Sequence, residues 1–400
     1  MVVRPRLVYI VTHPVTARHL LRGQLAYMQE RGFDVIVISS PGPELELTGH
    51  AEGVKCTAVP MAREINLIGD VLSLVRLCGT LRKVRPHIVN FSTPKAALLG
   101  AVAAWLMDVP IRIYTLRGLR LETVGGIRRR ILEWLERLTS ASAHEVICVS
   151  ESLRRMYVSN GLSGSDKTLV LARGSSNGVD LARFERSHVL NEEAQRLRLL
   201  YGLQSDARVI GYVGRFTRDK GLSDLWLAYK QVLSFFPEAH LLLVGDFETG
   251  DPVDPSHSRE LREHPKVTIT GWVQDVAPFF PLMDVLAFPS YREGFPNVPI
   301  QAAAAGVPVA GFAATGTVDA VEDQVTGTLV PVGDLRALAG ALMAYLRDPD
   351  LRRRHGEAAR ERVQRDFRQE VVWEALYKEY LRLLNERGLP APQCVVSPCP

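Results

Sequence analysis

Long hydrophobic runs are absent from this 400-residue sequence. The most apolar stretch, residues 96–107, stops at Asp108, well short of the ~20 residues a spanning helix needs, and it predicts a buried helix. Behind Arg4 and Arg6, the apolar run 7–11 is too short to be the core of a signal peptide. The expectation is a chain that does not span a membrane but can rest on one. Cysteine is scarce and without pattern. The five, at positions 56, 78, 148, 394 and 399, show neither paired spacing nor C-x-x-C, which argues against disulfides and structural zinc and for a reducing cytoplasm. A surplus of one charge is missing too. Lys and Arg number 48 against 44 Asp and Glu, a net charge of +4, and no basic run is interleaved with aromatics. Nucleic acid therefore drops out as a partner, while anionic small molecules and a membrane surface remain. No cluster of carboxylates or histidines has ligand spacing. The D-x-D of Asp348, Pro349 and Asp350 lies between two helical segments and reads as a capping turn.

What is present is a rhythm. Short β-branched runs alternate with helical segments, the mark of a parallel sheet covered on both faces. Strands are expected at 7–12, 34–40, 55–61, 88–92, 111–116, 145–149 and 168–171, with helices such as 18–31, 68–84 and 127–140 between them. The small, polar segment 174–180 and the charged sequence up to Ser205 read as hinge and linker. A second α/β series follows, with strands at 209–213, 241–244, 267–270, 284–289 and 307–312. A last helix, 370–384, carries Val372, Trp373, Leu376, Tyr380, Leu383 and Leu384 at helical spacing, so one of its faces is buried. The fold class expected is α/β, two Rossmann-like domains facing each other across a cleft. Their boundaries are set at 1–175 and 176–367, followed by a helix at 368–387 and a Pro-rich, disordered tail at 388–400.

Two stretches carry chemistry. In 284–312, DVLAFPSYREGFPNVPIQAAAAGVPVAGF, a strand leads through a polar loop into an Ala-rich helix and a second strand. Asn297 is placed as the N-cap, Pro299 suits the first turn, and Gly306 closes the far end. The loop thus delivers Glu293, Gly294, Phe295, Pro296 and Asn297 to a helix start, where free N–H groups and the helix dipole favour an anion. In 214–221, GRFTRDKG, Arg215 and Lys220 stand between a strand and a helix with Gly214 and Gly221 at the ends, as in a Gly-rich phosphate loop. Ligands of open parallel sheets bind beyond the carboxyl ends of the strands, and Arg215, Asp246, Trp272 and Glu293 all fall there. The plain structural alternatives are a solvated basic turn for Arg215 and Lys220, and a carboxylate countering the helix dipole for Glu293.

These residues resemble the signature of the family 4 retaining nucleotide-sugar glycosyltransferases of GT-B fold, in which a Glu, seven intervening residues and a second Glu cross the donor-sugar and ribose subsites. Glu293 matches the first Glu, whereas Gln301 stands at the second. A Gln can still pair with a ribose diol but without charge assistance. The resemblance implies catalysis by Glu293, Arg215 and Lys220. It implies donor binding by these three with Gly214, Val273, Gly294, Phe295, Pro296, Asn297, Gln301 and Arg117. Arg117 occupies a strand end where many relatives carry His; it can clamp an anion but cannot act as a base. Thr12 and His13 replace the family's Gly-rich first loop and are the candidates on the acceptor side. The last helix is expected to cross back to the first domain. The implied donor is a UDP-sugar. The implied acceptor is a saccharide on polyprenyl diphosphate in surface-polysaccharide assembly, with no metal and no cofactor beyond the co-substrate. A nucleotide-sugar epimerase and a non-catalytic nucleotide-binding paralogue are the alternatives. Finally, helix 127–138 sets Ile127, Ile131, Trp134, Leu135 and Leu138 on one face and Arg128, Arg129, Arg130 and Arg137 around the other. It is expected to pack its apolar face into the core, or else to dock on anionic headgroups.

Overall fold

The structure, a computed structural model, describes residues 4–62, 66–119, 121, 125–185, 187–204 and 206–392. Of the expected tail, residues 393–400, with Cys394 and Cys399, lie outside the described residues. The chain forms two compact units, one comprising residues up to 177 together with those from 369 onward, the other residues 178–368.

The N-terminal unit holds a seven-stranded sheet with strands β1 (Arg6–Ile10), β2 (Asp34–Ser39), β3 (Lys55–Ala58), β4 (Ile88–Ser92), β5 (Ile111–Leu116), β6 (Glu145–Cys148) and β7 (Thr168–Leu169). Their order is β3-β2-β1-β4-β5-β6-β7, every pair parallel. The crossovers contain α1 (Pro14–Leu20), α2 (Gln24–Glu30), α3 (Pro43–Glu52), α4 (Leu67–Val84), α5 (Pro94–Leu106), α6 (Gly126–Ser142) and α7 (Glu151–Ser159). β4 is buried along its whole length and β1 along all but its first residue, as helices on both faces require.

In the C-terminal unit, α8 (Leu181–Phe184) and α9 (His188–Leu200) precede β8 (Val209–Val213), α10 (Leu222–Leu233), β9 (His240–Val244), α11 (Pro255–Glu263), β10 (Val267–Ile269), β11 (Val285–Phe288), α12 (Asn297–Ala304), β12 (Val309–Phe312), α13 (Thr317–Ala320), β13 (Gly327–Val330), α14 (Leu335–Arg347) and α15 (Pro349–Asp366). The strand order is β10-β9-β8-β11-β12-β13, again all parallel. The edge strand β13 is absent from the strands expected by sequence, being four residues long with Gly and Thr leading. α16 (Gln369–Glu386) returns the chain to the N-terminal unit. There Leu376, Tyr377, Tyr380, Leu383 and Leu384 join the core beside Leu25, Met28 and Phe33. The buried Tyr380 hydroxyl accepts from Asn90 Nδ2 at 2.8 Å and donates to Tyr9 at 3.2 Å. Leu389, just past α16, packs against the same core.

Three expectations need correction. The single helix expected at 18–31 is two helices, because the chain turns at Gly23 with φ +77°. A Cβ there would lie 2.4 Å from the Trp373 indole, so only glycine fits, and the Glu52 carboxylate accepts from the Gly23 and Ala26 N–H groups to start α2 afresh. The supposed linker up to residue 204 is packed structure. Phe184 meets Phe280 edge-on with centroids 5.8 Å apart, and Tyr201 lies 6.1 Å from Phe279. α6, finally, leaves much of its apolar face outside the core: Ile127, Ile131 and Trp134 are exposed, and Leu135 and Leu138 are only half-buried. It is seated by the other face, where Tyr114 and Tyr157 donate to Glu136 Oε2 at 3.1 and 3.3 Å.

Burial pushes the Glu136 carboxyl up to about 7 against the pull of those two phenols. A carboxyl whose folded pKa is raised stabilises the native state below its unfolded pKa, and that contribution is lost as pH rises toward 7. Urea unfolding at pH 5 and pH 7.5 should show the wild type losing about 1–3 kcal/mol more than Glu136→Gln over that interval. Equal losses would mean that the carboxylate is solvated.

Candidate active site

In the C-terminal unit the strand order reverses between β8 and β11. The chain builds outward from β8 to β9 and β10, then returns to lay β11 on the other side of β8. The loops leaving the carboxyl ends of β8 and β11 are therefore neighbours, and such a switch point is where open sheets hold ligands. The first loop runs through a 3-10 turn, Arg218–Lys220, to Gly221, the N-cap of α10, at φ +69°. A Cβ at Gly221 would stand 2.0 Å from the Pro289 carbonyl oxygen at the end of β11. This contact draws the two loops together.

Lys220 and Glu293 meet across that seam. Lys220 Nζ lies 2.5 Å from Glu293 Oε1, with side-chain exposures of 22% and 14%. The buried Ser290 hydroxyl donates to the same carboxylate oxygen at 2.8 Å. Beside them, Asp219 takes the Thr217 hydroxyl at 2.6 Å and Arg292 Nη2 at 3.0 Å. Burial works against its charge, but the Thr217 hydrogen bond and the cations Lys220, Arg292 and Arg215 hold the Asp219 carboxyl below the usual range. The Tyr212 phenol beneath is pushed well up by burial, reinforced by the charges of Glu293 and Asp219, and it donates to the Arg215 carbonyl at 2.9 Å. Sequence reasoning missed Ser290, Asp219, Arg292 and Tyr212. Asp219 and Ser290 fall inside or beside the two motifs, and that adjacency was the available signal.

The other expected donor residues divide. Arg215 leaves the end of β8 with half its side chain exposed, paired with Glu248 at 2.8 Å. Gly214 precedes it and donates to the Val244 carbonyl at 3.0 Å. Pro296, not Asn297, sits at the N-cap of α12, so the helix starts at Asn297 with no side-chain cap. Asn297 Oδ1 is buried without a hydrogen-bond partner, and Pro299 leaves the first turn one donor short. The Phe295 ring belongs to the packing, 5.1 Å from Phe367, which leaves its backbone for a ligand. Gly294 O and Glu293 O lie against Gly316, and Glu293 N donates to Thr315 at 3.1 Å. Gln301 follows Asn297 by one turn of α12 and is half-buried. Val273 lies beyond β10, at the sheet edge two strands from β8. Among the described residues, no group of three or more His, Cys, Asp or Glu could hold a metal ion.

In the N-terminal unit, Thr12 ties β1 to the start of α5, its hydroxyl 2.8 Å from Thr93 Oγ1 and accepting from Ala96 N at 3.1 Å. His13 is the N-cap of α1, its Nδ1 accepting from Val15 N at 3.3 Å. Arg117 lines a small cavity of about 40 Å³ with Gln24, Asn90, Thr115 and Ser175. Its Nη1 donates to the Ser176 carbonyl at 2.8 Å, and its buried Nε has no partner. Burial lowers the guanidinium to about 10, against the opposing influence of the Tyr9 and Tyr380 phenols.

Because Gly221 holds a left-handed φ and abuts Pro289, Gly221→Ala should cost about 2 kcal/mol or more in a urea melt. A loss below about 0.5 kcal/mol would mean that the two loops can part freely.

Residues 16–174 match the model described as a glycosyl transferase 4-like domain, and residues 207–348 that of glycosyl transferases group 1. Over 367 residues the chain is 37% identical to the capsular polysaccharide biosynthesis glycosyltransferase CapM of Staphylococcus aureus, covering 92% of this chain and 94% of that protein. It is 26% identical over 322 residues to the UDP-Gal:alpha-D-GlcNAc-diphosphoundecaprenol alpha-1,3-galactosyltransferase of Escherichia coli, covering 79% and 81%. Among solved structures, Anabaena HepE in complex with UDP and glucose matches with a TM-score of 0.77 at 18% identity over 94% of this chain and 98% of that one, a likeness of fold. With a nearly full-length relative and a family model on each half, the chain belongs to the group 1, family 4 glycosyl transferases, and it is a glycosyltransferase of GT-B fold.

Proposed function

We propose that this enzyme moves a sugar from a UDP-sugar, with retention at the anomeric carbon, to a saccharide carried on polyprenyl diphosphate, at the cytoplasmic face of a membrane during surface-polysaccharide assembly. The observation that carries the reading is the Lys220–Glu293 pair at the switch point. An ammonium has three donors, so Lys220 can keep the Glu293 carboxylate and still reach a diphosphate oxygen. As the bond from the anomeric carbon to the diphosphate breaks, the cation neutralises the leaving group. Glu293 faces the positive charge growing on the sugar ring. Ser290, donating to Glu293 at 2.8 Å, fixes that carboxylate before the donor arrives. Arg215 would join by leaving Glu248. Their pair is about half exposed, a setting in which an ion pair contributes roughly 0–1 kcal/mol, so a diphosphate displaces it at little cost. Neutralisation by side-chain cations makes turnover independent of divalent metal. The capsular and diphosphoundecaprenol-linked relatives support the class of acceptor.

Transfer from a panel of UDP-sugars to polyprenyl-diphosphate saccharides, with chelator present, should give product with the donor's anomeric configuration. Lys220→Met and Glu293→Gln should each lower the rate by roughly 100-fold. Inversion, abolition by chelator with rescue by Mg²⁺, or donor epimerised without acceptor would overturn the reading.

If Glu248 competes with the diphosphate for Arg215, calorimetry on Glu248→Gln should show UDP binding tightened by roughly two- to fivefold, and the gain should vanish in Arg215→Ala. Unchanged affinity would remove Arg215 from the diphosphate site.

A further inference from the structure

We propose that the first halves of α4 and α6 form a docking face for an anionic lipid bilayer. On α4, Leu67, Ile68, Val71, Leu72 and Val75 are between 52% and 79% exposed, and on α6, Ile127, Ile131 and Trp134 between 50% and 76%. In a solvated helix such side chains would turn inward. Here the inward faces are already filled: α4 by Ser73, Leu77 and Leu81, α6 by Glu136, Thr139 and Ser140. No helix among the described residues is long and apolar enough to cross a membrane.

The topology gathers them. α5 packs against both α4 and α6, and the crossovers β3 to β4, β4 to β5 and β5 to β6 all run the same way across the sheet. Right-handed connection therefore puts α4, α5 and α6 on one face. Each of these helices follows a strand, so the exposed first turns of α4 and α6 both lie toward the carboxyl end of the sheet, with α5 between them.

Charge identifies the partner. Every acid described on these two helices is occupied within the fold: Asp70 by Lys95 at 2.8 Å, Glu133 by Arg129 at 2.8 Å, and Glu136 by the two phenols. The cations bordering these first halves, Arg76 on α4 and Arg128 and Arg130 on α6, have no ion-pair partner among the described residues. Apolar side chains bordered, among the described residues of these helices, by unpaired charge of one sign match acyl chains beneath anionic headgroups, with Trp134 suited to the boundary between them. A second copy of the same face would oppose cation to cation, which disfavours self-association. The inference rests for its purpose on the lipid-linked acceptor proposed above, while its observations are independent of the donor site.

Sedimentation of the full chain with vesicles of phosphatidylcholine, alone or mixed with phosphatidylglycerol, tests it. Wild type should bind the mixed vesicles at least roughly tenfold more tightly. The double variants Arg128→Glu/Arg130→Glu and Ile68→Ser/Leu72→Ser should each lose at least roughly tenfold. Both pairs are solvent-facing, and a thermal shift with UDP-sugars run alongside should be the same in variants and wild type. An unchanged shift with lost sedimentation supports the docking face, whereas a missing shift in all proteins counts against the donor reading alone. Equal binding by variants and wild type, no preference for phosphatidylglycerol, or a dimer in light scattering that Ile68→Ser/Leu72→Ser abolishes would each overturn the proposal.

Discussion

The seam between Gly221 and the Pro289 carbonyl governs the C-terminal unit. Two loops from strands distant in sequence become neighbours because β11 is laid beside β8, but adjacency alone would leave long side chains free to swing. The missing Cβ at Gly221 lets the start of α10 close onto the end of β11. Lys220, one residue earlier, is then held against Glu293. The pair sits at low exposure, where a charge without a partner would be costly, so each of the two holds the other in place. Asp219 and Arg292 repeat the arrangement one residue earlier in each loop, with the charges exchanged. Two ion pairs thus cross-link the same two loops, and either one constrains the other.

The N-terminal unit uses a different device at its own switch point, between β1 and β4. Thr12 and Thr93 share a hydrogen bond there, and nearby Thr115, Asn90, Tyr380, Tyr9 and Gln24 form an unbroken string of buried polar groups. Each member is satisfied, which is the condition under which a buried polar network specifies a structure instead of weakening it. Arg117 lies at the edge of this string, with its Nε facing no acceptor.

Much of this was legible because it is local. Strand rhythm follows from runs of β-branched residues, and the motifs 214–221 and 284–312 carry their own turns and helix starts, so the positions of Arg215, Lys220 and Glu293 at strand ends could be read from neighbours in sequence. Partnerships could not. Arg215 with Glu248, Lys220 with Glu293 and Arg292 with Asp219 depend on strand order, which no window of sequence contains. Periodicity misled in two places. The helical pattern across 18–31 continues through Gly23 because a Trp from the far end of the chain, not local propensity, decides the break there. In α6 the amphipathic pattern separates two faces without saying which is inside; two tyrosines gripping Glu136 decided that. The ring of Phe295, within the second motif, packs against Phe367, a partner that local sequence does not reveal.

The return of α16 carries a consequence for synthesis. Its residues supply Trp373 against Gly23, and Tyr380 between Asn90 and Tyr9, so the core begun by the first strand lacks a wall until the last helix leaves the ribosome. The inserted unit, residues 178–368, is contiguous and has all its strands by then. During translation the portion made first must wait, incompletely covered, and the portion made second can finish ahead of it.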